Sequence, residues 1–171
     1  MMRFLTLLAA LTLAHPLVAQ TFPDRRAAIH DFADLLEDDT ATRLESRVAE
    51  IIDEHGAEVA VVTLSSLQFY ATDSTIEAYS RDLFNAWGLG DADANTGLLI
   101  LVFRDDREVR LEMGSSWDET AQDGGQTVLD EDMLPRFEAG DLPGGIEAGI
   151  EGLVTRVIDP APQDTAPTDG D

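Results

Sequence analysis

The chain contains no cysteine and no lysine. The first absence excludes disulfide bonds, thiol nucleophiles and the cysteine-based zinc and iron-sulfur sites. The second, beside 34 Asp and Glu and only 11 Arg, leaves a formal charge of −23. A field of that sign disfavours nucleic acid and anionic membrane as partners and concentrates cations. It also keeps a protein soluble in brine, so the excess alone does not define a site. After residue 20 there is no apolar run approaching the roughly 20 residues needed to cross hydrocarbon, and no phosphate-binding glycine loop. Gly114-Ser115-Ser116-Trp117 lacks the G-x-S-x-G elbow of serine hydrolases.

What is present begins with a leader. Met1, Met2 and Arg3 precede an apolar run from Phe4 to Leu13, Pro16 blocks its continuation, and Ala19, Gln20 and Thr21 supply a small, polar end. This is the pattern of a signal peptide over residues 1–20, cut near Ala19 or Gln20. The expectation is an exported protein, periplasmic or secreted, with no stable membrane anchor after cleavage. Loss of Arg3 takes the mature charge to −24 over 151 residues. That length suits one domain, residues 21–158, burying about 68% of the surface its unfolded chain exposes. Residues 159–171 hold three Pro and four Asp and read as a disordered, acidic, Pro-rich tail.

Periodicity supplies the fold. A coil is expected around Ile29 to Leu36, then a helix capped by Asp38 or Asp39, with Ala41, Leu44, Val48, Ile51 and Ile52 on one face and Gly56 at its end. Val59 to Leu64 is continuous and β-branched, as in a strand buried on both faces. Ser74 and Glu77 form a capping box for a second helix, which carries Ile76, Tyr79, Leu83 and Trp87 inward and stops at Gly88. Gly97 to Phe103 is another buried strand, and Glu108 to Met113 alternates behind the turn at 104–107, which makes a hairpin. Strand, helix, strand implies a right-handed crossover between parallel strands, with the third strand antiparallel. A short helix is expected over Gln126 to Leu134. Asp141 caps a last one, with Ile146, Ile150, Leu153, Val154 and Val157 toward the sheet and Gly145, Gly149 and Gly152 permitting close approach.

The order of these motifs resembles the TPM domain from about Ile29 to Ile158. The carriers are Val59 to Leu64, the run Ile76 to Phe84, Trp87-Gly88-Leu89-Gly90, Asn95-Thr96-Gly97 leading into Leu98 to Val102, Arg110 to Gly114, Asp123, and Pro135-Arg136-Phe137 with Gly140-Asp141. The resemblance implies an α/β fold, a three-layer α/β/α sandwich around a mixed, mostly parallel sheet. It further implies calcium binding, weak acid phosphatase activity in some relatives, and service in the assembly, repair or regulation of membrane complexes in others. Many relatives carry a membrane helix and a glycine-rich tail after the domain; here an acidic tail follows instead.

The residues themselves support cation chemistry best. Asp91, Asp93 and Asn95 place oxygen side chains at alternate positions of a loop, the arrangement a hard cation takes for its first ligands. Thr96 and Val102 stand where an EF-hand needs its glycine and bidentate glutamate, which excludes that motif. The hairpin should bring this loop beside the segment carrying Asp118, Glu119 and Asp123. A Ca²⁺ site drawing on Asp91, Asp93, Asn95, Asp118, Glu119 and Asp123 would offer the six to eight oxygens, roughly, that calcium takes.

For phosphoryl transfer the nucleophilic Asp should follow a buried strand. Asp91 and Asp93 precede theirs, and Asp105 and Asp106 sit in a tight turn between Arg104 and Arg107; Arg110 and Arg136 are the nearest positive groups that could clamp a phosphate. His55 lies at a helix end, where the dipole favours a cation. Trp117, in the acidic segment, is available to a partner. The expected function is therefore a divalent-cation module supporting the assembly or maintenance of other envelope proteins, a monomer whose partner is an unidentified envelope or extracellular protein. The alternative is a metal-assisted acid phosphatase of low turnover; no nucleophile and base pair assigns an enzyme.

Overall fold

A computed structural model describes residues 20–90 and 94–160. Residues 1–19 of the expected leader, residues 161–171 of the expected tail, and Asp91 and Asp93 lie outside the described residues.

Four strands form one sheet in the order β1 (Ile29–Asp31), β2 (Val59–Leu64), β3 (Leu98–Phe103), β4 (Glu108–Met113). β1 pairs parallel with β2 and β2 parallel with β3, while β4 returns antiparallel to β3 with Leu98 opposite Met113 and Phe103 opposite Glu108. Every residue of β2 and β3 is buried, as their unbroken apolar sequences require. β1 replaces the coil expected at its position; three residues are too few for an alternation to show.

Because successive side chains leave a strand on opposite sides, β2 and β3 serve two separate cores. Val59, Val61, Leu98, Ile100 and Val102 point to one face, joined by Leu111 of β4, beneath α1 (Asp38–His55), α3 (Glu119–Thr127) and α5 (Leu142–Leu153). Ala60, Val62, Leu64, Leu99, Leu101 and Phe103 point to the other, where α2 (Ile76–Trp87) lays Ile76, Tyr79, Leu83 and Phe84. The molecule is thus the α/β sandwich expected. The crossovers through α1 and α2 step the same way across the sheet yet lie on opposite faces, so they have opposite hands. Only one of them follows the right-handed rule.

Local chemistry explains the helix ends, with some shifts from expectation. α1 begins after Glu37, so Asp38 and Asp39 occupy the first turn rather than the cap, facing the positive end of the helix dipole. It ends at Gly56 in the left-handed conformation, φ 68°. Ile51 is fully buried, but Ile52 is 43% exposed, because adjacent helical residues point about 100° apart and only one can face the sheet. α2 is capped by Thr75, whose Oγ1 accepts from the Ala78 amide at 3.3 Å, and not by Ser74.

The expected helix over 126–134 starts earlier. Asp118 caps α3, π-helical turns over Val128–Met133 follow, and α4 (Leu134–Glu138) completes the stretch. Asp141 caps α5, accepting from the Gly144 amide at 3.0 Å. Gly145 and Gly149 lie flush against Phe137 and Met133, the close packing in water that their spacing predicts.

The segment before β1, residues 20–28, crosses the face covered by α2. The Tyr79 hydroxyl donates to the Thr21 carbonyl and the Trp87 indole to the Pro23 carbonyl, both at 2.9 Å. Tyr79 is fully buried, and burial raises its phenol above the usual range. Among the described residues no helix is long and apolar enough to cross a membrane.

Candidate cation-binding site

The loop between α2 and β3 is framed by backbone contacts that only glycine permits. Gly88 ends α2 at φ 59° and Gly90 follows at φ 85°. A Cβ on Gly97 would stand 2.5 Å from the Leu89 carbonyl carbon, and one on Gly90 2.5 Å from the Gly97 nitrogen, so the two ends of the loop touch. Glu58, just before β2, holds the near end: one oxygen accepts from the Gly90 amide at 2.7 Å and the other pairs with Arg25.

The far end meets the segment leaving β4. The Gly114 amide donates to the Gly97 carbonyl at 2.9 Å, and a Cβ on Gly114 would stand 2.0 Å from the Asn95 carbonyl oxygen. Asn95 has φ 46°, and its Nδ2 donates to Ser115 Oγ at 2.7 Å. The Trp117 indole donates to the same Gly97 carbonyl at 3.4 Å, and its ring packs against the core, so it is only partly available to a partner. Antiparallel pairing of β3 and β4 forces this meeting, since the residues just before one strand must face those just after the other.

The expected ligands divide accordingly. Asn95 reaches the segment leading to Asp118; Asp91 and Asp93 lie outside the described residues. Asp118 spends Oδ1 on the Ala121 amide at 2.8 Å as the cap of α3, and its second oxygen has no hydrogen-bond partner among the described residues. Glu119 is exposed in the first helical turn. Asp123 is one turn further and lines a different cleft, with Gly124, Thr127, Thr155 and Arg156. Among the described residues no group of three or more His, Asp or Glu is gathered closely enough to hold a metal ion. Ser115 and Glu58 were not singled out by sequence. The glycines at 90, 97 and 114 were the available signal for the frame, whereas nothing in sequence marked Glu58.

The site lies at the amino ends of β2 and β3. Ligands of open α/β sheets usually bind beyond the carboxyl ends. There Asp31 accepts from the Leu35 and Leu36 amides and the Thr63 hydroxyl, Asp105 pairs with Arg104 at 2.9 Å, and Asp106 accepts from the Ser66 hydroxyl at 2.8 Å and the Leu67 amide at 2.7 Å. These carboxylates hold turns together. Arg136 pairs with Asp141 at 3.5 Å. Arg110 stands 3.6 Å from Glu112, and its Nε is buried without a hydrogen-bond partner among the described residues.

His30, on β1, is a separate titrating group. It is buried, its Nε2 accepts from the Arg26 amide at 3.1 Å, and its ring lies edge-on to Trp87. Burial lowers its pKa, partly opposed by Glu45 and reinforced by Arg25. A depressed folded value means that the neutral ring is the one the fold accommodates. The associated stability is complete above the ordinary value of about 6.5 and is lost as pH falls through the folded value. In a proton NMR titration the His30 ring signals should therefore move with a midpoint below that ordinary value. His30→Gln should remove this part of the acid sensitivity; a midpoint at or above the ordinary value would contradict the buried, accepting ring.

A model of the TPM domain matches residues 29–156. The N-terminal domain of a protein from P. gingivalis, solved by NMR in solution, is 30% identical with a TM-score of 0.65, covering 74% of this chain and 78% of that one. The N-terminal domain of a Corynebacterium glutamicum protein is 14% identical with a TM-score of 0.60, covering 84% of this chain and 89% of its own. A protein of the psychrophilic bacterium Bizionia argentinensis is 15% identical with a TM-score of 0.60, covering 71% and 81%. These last two share the fold. A search of curated proteins finds no match.

Proposed function

The chain belongs to the TPM domain family, and from that premise we propose that it is an exported module that binds a divalent cation, Ca²⁺, and supports the assembly or maintenance of other envelope proteins. The observation that carries the reading is the contact of Asn95 with Gly114 and Ser115, which sets the acidic loop beside the segment running to Asp118. Around that contact the described residues carry oxygen donors, the Asn95 side-chain oxygen, the Ser115 hydroxyl and local carbonyls, and the sequence adds Asp91 and Asp93 on the loop and Asp118 on the facing segment. That set fits a hard cation, which takes oxygen ligands at variable number. Glu119 is one residue beyond Asp118 and can add a carboxylate; Asp123 faces elsewhere and is the weakest of the six.

When bound, the cation would neutralise carboxylates that otherwise repel one another and so stiffen the loop. Glu58 and the three glycines hold the loop ends. The turn carboxylates at 105 and 106 are engaged in structural hydrogen bonds and an ion pair. That favours the binding module over the metal-assisted phosphatase. Export rests on the apolar leader, and the excess of negative charge supports a partner that is neither nucleic acid nor anionic membrane.

Calorimetric titration with CaCl₂ at physiological salt should give saturable heat for the purified protein. Asp91→Asn with Asp93→Asn should abolish it, Ser115→Ala should weaken it, and Asp123→Asn should change it least. No heat at physiological salt would remove the site. Calcium-dependent phosphate release at acidic pH, lost in the double variant, would instead establish the phosphatase.

A further inference from the structure

The two edges of the sheet are treated differently. At β1, the Glu45 carboxylate of α1 accepts from the Ile29 amide at 2.7 Å and the Ala28 amide at 3.3 Å, which closes that edge with a side chain. At β4 nothing comparable occurs. The Gly114 amide bonds to the Gly97 carbonyl, and alternation along an antiparallel ladder then turns the amides and carbonyls of Glu108, Arg110 and Glu112 toward β3 and those of Val109, Leu111 and Met113 outward. No backbone or side-chain partner takes those outward groups among the described residues. A bare edge of this length is a template for another strand.

We infer that this edge pairs with the same edge of a second copy of the chain, antiparallel across a two-fold axis at Leu111, joining two four-stranded sheets into one. Three features select this occupant. With Leu111 opposite Leu111, Val109 falls opposite Met113, so all the outward amides and carbonyls of both edges bond at once. The same register sets Arg110 opposite Glu112 of the second copy, and Glu112 opposite its Arg110, two cross-strand pairs of opposite charge on one face. Finally, the Arg110 side chain is 37% exposed and stands 3.6 Å from Glu112 of its own strand, beyond hydrogen-bond reach; a second carboxylate across the edge meets the exposed part of that guanidinium.

The pairing opposes two mature chains of formal charge −24, the −23 of the full sequence less Arg3, so it strengthens with salt. At about 1 M salt the screening length is near 3 Å, and repulsion between the two bodies fades while the backbone ladder remains. This departs from the monomer expected from the sequence.

Sedimentation equilibrium on the purified protein reads the result directly. The wild type should show twice the chain mass in molar salt and dissociate when diluted into low salt. Arg110→Glu and Glu112→Arg should each be monomeric under the same conditions while keeping the wild-type circular dichroism. An equal mixture of the two should recover the dimer, because each then meets an opposite charge on the other. A wild type that stays at one chain mass at every salt overturns the proposal, as does a dimer indifferent to both substitutions or a mixture that remains monomeric. A monomer that instead captures an extended peptide of alternating charge also overturns it, assigning the edge to another protein.

Discussion

Replacing Gly114 by alanine should destabilise the protein by about 2–3 kcal/mol, the upper part of the range for overpacking a filled site. The added methyl would stand 2.0 Å from the Asn95 carbonyl oxygen and 2.8 Å from its carbon. Both are backbone atoms and cannot rotate away, so either β4 shifts or the loop before β3 is expelled. Hydrogen exchange of the amides around Asn95 should accelerate, and calcium heat should fall with it. Gly125→Ala is the control. Its methyl would meet Met113 Sδ at 2.6 Å and Leu111 Cδ2 at 3.0 Å, which are side-chain ends able to turn, and alanine gains about 0.5–1 kcal/mol over glycine inside a helix. Urea denaturation should show a large loss for the first substitution and little for the second. Equal effects would mean that the loop and β4 do not meet as described.

Ile100→Ala should cost about 2–5 kcal/mol, the range for emptying a fully buried aliphatic site. Ile100 is at the centre of β3, fully buried, in register with Val61 on one side and Leu111 on the other. It belongs to the cluster that also contains Ile146 and Ile150 of α5, so no loop is at hand to collapse into the space. Against a total of about 5–15 kcal/mol for a domain, the midpoint of thermal or urea unfolding should drop markedly. Ile52→Ala should change it by no more than about 0.5 kcal/mol, as expected at an exposed position, since Ile52 remains 43% exposed. A cost at Ile52 rivalling that at Ile100 would mean that α1 is rotated about its axis.

That pair of isoleucines shows what the sequence could and could not convey. β2 and β3 were legible because a strand buried on both faces is apolar without interruption, and β4 because it alternates. The family and the α/β sandwich followed from the order of these elements. Both ends of α2 and the start of α5 were legible to within a residue, while α5 stops at Leu153 and passes into π-helical turns over Val154–Ile158 that the periodicity did not separate; at α2 the cap fell on Thr75 and not on Ser74, two neighbours with the same hydroxyl chemistry. α3 was obscured by Gly124 and Gly125, poor helix formers, of which Gly124 lies flush against the Arg156 backbone carbonyl, where a side chain has no room. At the loop, the meeting of Asn95 with the segment beyond β4 could be deduced, since an antiparallel hairpin allows nothing else. The role of Asp118 could not. An aspartate before a helix and an aspartate beside a cation are the same residue type, and only coordinates reveal that one of its oxygens is committed to a backbone amide.

The double burial of β2 and β3 has a last consequence. Their peptide planes form a partition, with the α1, α3 and α5 side chains on one side and those of α2 on the other, and no side chain shared between them. Changes made on opposite sides of such a wall should sum without cross-talk. Each half of the interior can then drift at its own pace, one route by which a Corynebacterium glutamicum domain at 14% identity shares the fold.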